Sequence, residues 1–253
     1  MTNHSLSQLE LLATKISGLF FAFDQVGLAK GSSWRFTRPI IATPTAIPAD
    51  PSIESAPGGG RVGARPIDAC FVGRVAQNKG IIDLLTAWKV VVTNRPGASL
   101  VVAGGFNSEA LKVKVVRLIA ELSLAENVRL TGFLSEPEKH KLLSNARLFV
   151  FPSYEEGWSI SVMEGAISGA LPITYDLPAY DYLGESAQKV PVGRPDELAR
   201  RIVRFLADEP ARLRATAEVG TAVRKLTIEQ IATDELRCFE ELLTMRNPST
   251  LSA

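Results

Sequence analysis

The sequence is poor in the side chains that build disulfide frameworks and metal centres. Among its 253 residues are two cysteines, Cys70 and Cys238, which lie far apart and form no CxxC pair. Its two histidines are His4 and His140. We therefore expect neither a disulfide framework nor a histidine-rich metal centre, and the cysteine usage is typical of a reducing cytosol.

An excess of one charge and a long apolar run are also missing. The formal net charge is +1 at pH 7, so no bulk field favours nucleic acid or anionic lipid, and any anion site must be local. The apolar stretch at residues 16–23 is interrupted by Gly18 and is too short to span a bilayer. The first ten residues also lack Lys and Arg, which argues against a secretory signal. These absences predict a cytoplasmic protein without a nucleic-acid partner, and they leave peripheral attachment at the inner face of the membrane open.

Residues 49–66 form the clearest break along the chain. Three prolines and four glycines in this segment are incompatible with a long helix or a central strand. We interpret the segment as a linker between a short N-terminal piece, residues 1–48, and a C-terminal domain, residues 67–253.

Beyond the linker, strand-like and helix-like patterns alternate. Short apolar runs predict strands at 67–72, 100–103, 128–131, 148–151 and 171–175. Apolar residues at helical spacing predict helices between these strands, and further helices at about 198–206 and at 228–243. Strands that are apolar throughout imply a parallel sheet covered by helices on both faces. The predicted fold class is therefore α/β, with a Rossmann-like doubly wound parallel sheet.

The loop at residues 73–80 is the first candidate for chemistry. In a doubly wound sheet the ligand lies at the carboxyl ends of the strands, commonly where the first and fourth strands are neighbours. Gly73 and Gly80 allow tight turns after the first strand, and Arg74 and Lys79 flank the start of a helix, a combination that suits a diphosphate. The alternative is a pair of solvated cations on a surface loop, and the spacing is neither a Walker-type phosphate loop nor GxGxxG.

The loop after the fourth predicted strand contains the second candidate. Glu156 and Glu164 are separated by seven residues, and two helical turns cover about 12 Å, the distance from the ribose of a nucleotide sugar toward its hexose. Ionised carboxylates accept hydrogen bonds from vicinal hydroxyls. The alternative is that both are ordinary surface glutamates.

Several strings now resemble a known family. FVGRVAQNKG, LVVAGG, VRLTGFLS and ARLFVFPSYEEGWSISVMEGAISGALPI follow one another in the order seen in family 4 of the retaining glycosyltransferases, over about residues 67–245. The resemblance implies a GT-B fold, in which two Rossmann-like domains face each other across the active site. It also implies a nucleotide-sugar donor as substrate, with no metal and no other cofactor.

The resemblance assigns roles to individual residues. Arg74 and Lys79 match the pair that holds the donor diphosphate and stabilises the leaving nucleotide. Glu156 matches the glutamate that contacts the transferred sugar, and Glu164 matches the one that binds the ribose. The further donor-binding residues, in or beside the turn next to the sugar and phosphate, are Gly73, Gly157, Trp158, Ser159 and Ile160.

Two departures from the family pattern stand out. Ser159 occupies a position where members often have glycine. Its Cβ lies where the backbone and the sugar are expected to approach closely, so it either alters the choice of donor or has no effect. Residues 1–48 are interpreted as a remnant of the N-terminal lobe, which in the family usually brings the acceptor site, and residues 17–51 resemble the last strand and helix of that lobe. We therefore expect an incomplete N-terminal lobe and leave open a partner chain that supplies it.

Several functions follow from this interpretation. The first is a retaining glycosyltransferase that moves a sugar to a glycan, a lipid-linked glycan or another hydroxyl acceptor. The alternatives are a non-catalytic or split donor-binding subunit and an inactive truncated homologue. Nucleotide-sugar 2-epimerases share the architecture, but the seven-residue glutamate spacing, followed by a GAxP-like turn at residues 169–172, favours the transferase.

Overall fold

The structure, a computed structural model, describes residues 65–226, the strand segments 19–21 and 40–42, and the helical residues Thr233, Leu236 and Arg237. The chain divides into two compact units, one made of Met1–Pro48 with Leu226–Ala253 and the other of Ala49–Lys225. In the first unit, strand β1 (Leu19–Phe21) pairs in parallel with β2 (Ile40–Ala42).

The second unit contains a six-stranded parallel sheet. Its order is β5-β4-β3-β6-β7-β8, so the chain winds outward from β3 in one direction and from β6 in the other. The predicted doubly wound sheet is confirmed, and the first and fourth predicted strands are neighbours at its centre. The strands are β3 (Ile67–Val72), β4 (Leu100–Ala103), β5 (Val128–Gly132), β6 (Ala146–Phe151), β7 (Leu171–Tyr175) and β8 (Gln188–Val190).

Six α-helices are described in this unit. The first four connect the strands from β3 to β7, where helices were predicted, and Ser135 forms the N-terminal capping box of the third with Glu138. Short 3₁₀ segments lie at Gln77–Lys79 and Pro178–Leu183. The helices are α1 (Ile81–Asn94), α2 (Glu109–Glu121), α3 (Glu136–Asn145), α4 (Ile160–Ile167), α5 (Pro195–Ala207) and α6 (Glu209–Val223).

Apolar runs become central strands because both of their faces are covered. Every residue of β4 and β7 is buried, as are Ala69, Cys70 and Phe71 of β3. Helix α1 buries Leu84, Leu85 and Trp88. This burial of apolar surface on two sides is the main source of stability for a sheet of this kind.

Two elements of the sheet domain were missed by sequence reasoning. Strand β8 buries only Val190, because it is one of the two edge strands of the sheet. Helix α6 packs mainly small residues and an arginine inward, so it lacks a stripe of large apolar side chains; its buried positions are Arg212, Ala215, Val219, Gly220 and Val223. The predicted helix at 228–243 lies outside the described residues, apart from Thr233, Leu236 and Arg237.

Arg65, near the end of the predicted linker, already belongs to the packed domain. Its guanidinium donates hydrogen bonds to the carbonyls of Leu143, Ala146 and Ser168 at 3.2, 2.6 and 2.7 Å. It therefore ties the end of α3 to the end of α4. The predicted linker residues 49–64 lie outside the described ranges.

Within the described residues, none of the helices is both long enough and apolar enough to cross a bilayer.

Candidate functional site

Two glycines bring the loops together at the carboxyl edge of the sheet. Gly80 has a φ of +71°, and a Cβ on it would lie 1.9 Å from the carbonyl oxygen of Pro152. Gly104 has a φ of +138°, and its Cβ would lie 1.8 Å from the carbonyl oxygen of Gly73. No L-amino acid with a side chain fits either position without displacing the backbone. The loops after β3, β4 and β6 are therefore in direct contact.

Backbone hydrogen bonds join the same loops. The amide of Val75 donates to the carbonyl of Gly105 at 2.9 Å, and the amide of Tyr154 donates to that of Asn78 at 2.9 Å. The hydroxyl of Ser153, which is fully buried, also donates to Asn78 at 3.2 Å. The edge of the sheet is thus held as one surface.

A cleft of about 600 Å³ opens at this edge, above the point where the strand order reverses. Its volume lies within the range of small-molecule sites. Its lining comes from the ends of β3 and β4, from the residues that follow β3, β4 and β5, and from α3 and α4. The lining residues are Val72, Gly73, Arg74, Ala103, Gly104, Gly105, Phe106, Phe133, Leu134, Glu136, Lys139, Ile160, Ser161 and Glu164.

Four of the predicted site residues meet in this cleft, namely Gly73, Arg74, Ile160 and Glu164. Arg74 is exposed, and no ion pair of its guanidinium is found within the described part of the chain. An unpaired guanidinium beside a cleft is suited to bind an anion. The other predicted residues, Lys79, Glu156, Gly157, Trp158 and Ser159, do not line the cleft.

Lys79 and Glu156 form an ion pair with each other. The Lys79 Nζ lies 2.5 Å from Glu156 Oε1 and 3.4 Å from the carbonyl oxygen of Glu155. Both side chains of the pair are mostly buried. An ammonium has three N–H donors, and two are directed to these oxygens. One donor of Lys79 remains for a ligand.

Glu164 is paired with a lysine that sequence reasoning did not select. The Lys139 Nζ on α3 lies 2.8 Å from Glu164 Oε1 and 2.7 Å from Glu136 Oε2. Partial burial lowers the pKa of Lys139, but its hydrogen bonds to Glu136 and Glu164 outweigh this effect and leave the pKa raised. The lysine is therefore charged at neutral pH.

The loop that carries Glu156 is fixed by aromatic contacts. Trp158 packs against Tyr182 in a tilted arrangement with ring centroids 4.4 Å apart, and its indole N–H points at the sulfur of Met163 at 2.8 Å. The Tyr182 hydroxyl donates to the carbonyl oxygen of Ser159 at 3.2 Å. These side chains order the turn at residues 157–159, whose backbone was predicted to face the sugar and phosphate.

The helix that borders the cleft differs from the one expected. Sequence reasoning placed the anion at the start of α1, but a 3₁₀ turn and the left-handed Gly80 precede that helix, and none of its residues lines the cleft. Instead the first residues of α4, Ile160 and Ser161, face it. The Ser159 side chain makes no capping hydrogen bond, so N–H groups in the first turn of α4 remain free for an anion. The local sequence near Lys79 gave no indication that α4, and not α1, borders the cleft.

The two glutamates are not both helical. Helix α4 begins at Ile160, so Glu156 lies in the preceding loop and only Glu164 is on the helix. The estimate of their separation from helical rise therefore applies to only part of the segment between them.

The residues missed by sequence reasoning follow the second and third strands of the predicted domain. They include Gly105, Phe133 (85% exposed) and Lys139. The carboxyl-edge rule applies to every parallel strand. A search of the VAGGF and TGFL loops with the same rule would have found Gly105 and Phe133, whereas Lys139 lies farther along the chain, in α3.

All four tyrosines of the chain lie between residues 154 and 182, from the loop that carries Glu156 onward. Tyr154 and Tyr175 both donate to Asp83 Oδ2, the former at 2.6 Å. Burial raises the pKa of Tyr175, and the bond to Asp83 raises it further. Burial also raises the pKa of Tyr180 and Tyr182, with a further contribution from the Glu156 carboxylate.

These tyrosines predict a loss of stability at alkaline pH. Phenols ionise at about pH 10 in the unfolded chain, whereas the fully buried Tyr175 and Tyr180 stay protonated in the folded domain. The folded state then binds more protons, so the free energy of unfolding falls by about 1.4 kcal/mol per pH unit for each such phenol. Burial also raises the pKa of the Cys70 thiol, so the decline should begin at about pH 9 and steepen above about pH 10. Denaturant unfolding measured across this range tests the expectation.

Tyr180→Phe is the matched control for this prediction, because the buried Tyr180 hydroxyl has no hydrogen-bond partner among the described residues. The variant should be as stable as the wild type at neutral pH and should show a shallower decline above about pH 10. An unchanged slope in Tyr180→Phe would contradict the role of this phenol.

A doubly wound parallel sheet with a cleft at its switch point is the architecture of Rossmann-like ligand-binding domains. Within that class, the chain belongs to the family of group 1 glycosyl transferases, which matches residues 60–219. The predicted family is thereby confirmed.

Two curated relatives illustrate the match. The chain is 32% identical over 125 residues to GDP-mannose:cellobiosyl-diphosphopolyprenol alpha-mannosyltransferase of Xanthomonas campestris, covering 49% of this chain and 33% of the relative. It is 27% identical over 179 residues to phosphatidyl-myo-inositol mannosyltransferase of Mycobacterium tuberculosis, covering 67% of this chain and 46% of the relative. The chain thus spans less than half the length of these relatives.

A solved structure has the same fold. The HepE protein of Anabaena, crystallised with UDP and glucose, superposes with a TM-score of 0.75 at 15% identity, over 95% of this chain and 68% of that one. The predicted Rossmann-like, GT-B type of architecture is confirmed for the described sheet domain.

Proposed function

We propose that this domain binds the nucleotide-sugar donor of a retaining glycosyltransferase. One observation carries the proposal, namely that the switch-point cleft brings the unpaired Arg74 and the carboxylate of Glu164 to the same cavity. A cation for phosphate and a carboxylate for hydroxyls are the two groups that a nucleoside diphosphate requires. The names of relatives that use GDP-mannose and of a fold neighbour bound to UDP and glucose support this ligand class.

The donor diphosphate would lie between Arg74 and the first turn of α4. When the bond between sugar and diphosphate breaks, negative charge develops on the departing phosphate oxygens. The guanidinium of Arg74, the remaining N–H donor of Lys79 and the N–H groups of α4 would stabilise that charge. Because these groups replace a divalent cation, the reaction needs no metal and no other cofactor.

Lys79 would couple the diphosphate to the sugar. Its ammonium already contacts Glu156, the residue proposed to accept hydrogen bonds from the transferred sugar. A phosphate oxygen on the third N–H would place Lys79 between the two parts of the donor. The acceptor would be a hydroxyl of a glycan or a lipid-linked glycan, in keeping with the diphosphopolyprenol and phosphatidyl-inositol acceptors in the names of the relatives. An N-terminal lobe or a partner chain would present it, at the cytoplasmic face of the membrane.

The different roles proposed for Glu164, which binds the ribose, and Glu156, which binds the transferred sugar, provide a test of this function. Glu164→Ala should weaken binding of UDP and GDP by about tenfold or more, because every nucleotide carries the ribose. Glu156→Ala should leave the affinity for these nucleotides within about threefold of the wild type and should weaken only the binding of UDP-glucose or GDP-mannose. Titration calorimetry with each ligand provides the measurement.

Glu155→Ala is the matched control for the second substitution, since Glu155 is the exposed neighbour of Glu156 and contributes only its backbone carbonyl to Lys79. It should bind every ligand as the wild type does. Equal effects of the Glu156 and Glu164 substitutions on plain nucleotides would refute the assignment, and a wild-type domain that binds neither UDP nor GDP would refute the proposed function.

A further inference from the structure

We propose that Lys139 is a positioning residue for the donor, which holds the Glu164 carboxylate in the orientation that receives the ribose diol. The proposal rests on the proposed function, since it assumes that the cleft binds a nucleotide. It assigns Lys139 to the nucleoside part of the ligand and leaves the diphosphate to Arg74.

The geometry of three side chains carries the proposal. Lys139 and Glu164 lie 25 residues apart on separate helices, yet Nζ and Oε1 are 2.8 Å apart. Both side chains line the cleft, and they are 15% and 14% exposed. The pair uses one oxygen of Glu164, and Oε2 makes no hydrogen bond within the described residues. A carboxylate anchored through one oxygen presents the other in a fixed direction.

Without the lysine, Glu164 would lose that direction. Glu136 and Glu164 both contact the same ammonium, so its removal would leave two like charges facing each other beside the cleft. A partly buried carboxylate without a counter-ion turns toward water, because desolvation disfavours an unpaired charge. Restoring its orientation on binding would then cost part of the ligand affinity.

The charge of the cluster explains why it suits hydroxyls. One ammonium and two carboxylates sum to −1, and two of the three N–H donors of Lys139 are directed to carboxylate oxygens. Such a cluster offers no excess positive charge to a diphosphate. A vicinal diol is neutral and donates hydrogen bonds, so it fits the free oxygen of Glu164. Arg74, in contrast, has no carboxylate partner within the described residues.

Binding of four ligands to a series of variants tests the role of Lys139. The ligands are uridine, guanosine, UDP and GDP, and binding is followed by NMR titration or calorimetry. Lys139→Met keeps the length of the side chain and removes its charge. We expect this variant to weaken the binding of the nucleoside and of its diphosphate by the same factor, about tenfold. Lys139→Arg restores the charge and should bind within about threefold of the wild type. In a Glu164→Ala background, Lys139→Met should have no further effect, because the two residues act as one unit.

Lys112→Met is the matched control, because Lys112 also pairs with a glutamate on its own helix but lies on α2, away from the cleft. Thermal unfolding of each variant separates loss of binding from loss of fold. Weakening confined to the diphosphates would mean that Lys139 contacts phosphate directly and would overturn the proposal, as would additive effects with Glu164→Ala. A wild type that binds all four ligands while Lys139→Met is unaffected would refute this inference alone, whereas a wild type that binds none would refute the proposed function as well.

Discussion

Replacing Gly80 by alanine should destabilise the domain by at least about 3 kcal/mol. The residue has a φ of +71°, which L-amino acids rarely adopt, and the added Cβ would lie 1.9 Å from the carbonyl oxygen of Pro152. The obstacle is backbone, so a side-chain rotation cannot relieve it. Either the loop after β3 or the loop after β6 must move, and both loops carry residues of the proposed site. We therefore expect poor folding and, in any folded fraction, loss of nucleotide binding.

Gly97→Ala is the matched control for this loss, since Gly97 lies in the turn between α1 and β4 and nothing lies within 4 Å of its added Cβ. Its stability should stay within about 0.5 kcal/mol of the wild type. Urea unfolding of both variants at neutral pH provides the comparison. A Gly80→Ala domain as stable as Gly97→Ala would show that the close contact between the two loops is not needed.

Removal of both proposed diphosphate ligands, in Arg74→Ala combined with Lys79→Ala, should weaken binding of UDP and GDP by about a hundredfold or more. Each charge-assisted hydrogen bond contributes roughly 1.5–3 kcal/mol, and a tenfold change in affinity corresponds to about 1.4 kcal/mol. Lys79→Ala alone should account for about a tenfold loss. Uridine and guanosine lack the diphosphate, so their binding should change by less than about threefold. Calorimetry in the presence of a chelator should give the same values, because the proposed site uses no metal.

The control variant carries Lys112→Ala and Arg117→Ala, two exposed cations of α2 whose ion pairs among the described residues run along their own helix. It loses the same charge as the test variant but should keep full affinity. If it lost as much affinity for UDP as the test variant, the effect would come from net charge and not from the site. Equal weakening of nucleoside and diphosphate in the test variant would remove Arg74 and Lys79 from the phosphate subsite.

The central strands were predictable because their signal is local. The apolar runs at Ile67–Val72, Leu100–Ala103 and Leu171–Tyr175 have the bounds that the sequence predicted. Each run is buried on both faces, so nearly every residue in it must be apolar. Strand β8 and helix α6 were not predicted, because an edge strand and a helix packed through small residues need no run or stripe of large apolar side chains.

The candidate site was only partly predictable. Arg74 and Glu164 were selected from loops next to the switch point, and the structure places both in the cleft. Lys79 and Glu156 were also selected, but the structure pairs them with each other and outside the cleft lining. Lys139 gave no signal, because a lysine on an amphipathic helix is ordinarily a solvated residue.

The sequence by itself determined the fold class and the family, and it selected the two loops that meet at the switch point. The fold class follows from local patterning, the family from motif strings in a fixed order, and the two loops from a strand order that is common in doubly wound sheets. Only the tertiary structure decided that α4, and not α1, borders the cleft, and which lysine meets which glutamate. Lys79 and Glu156 are 77 residues apart, and Lys139 and Glu164 are 25 apart. Their pairing depends on how far each loop and helix extends over the sheet edge, and close approaches such as Gly80 on Pro152 set that distance. A contact of this kind is a property of the packed domain and leaves no periodic trace in the chain.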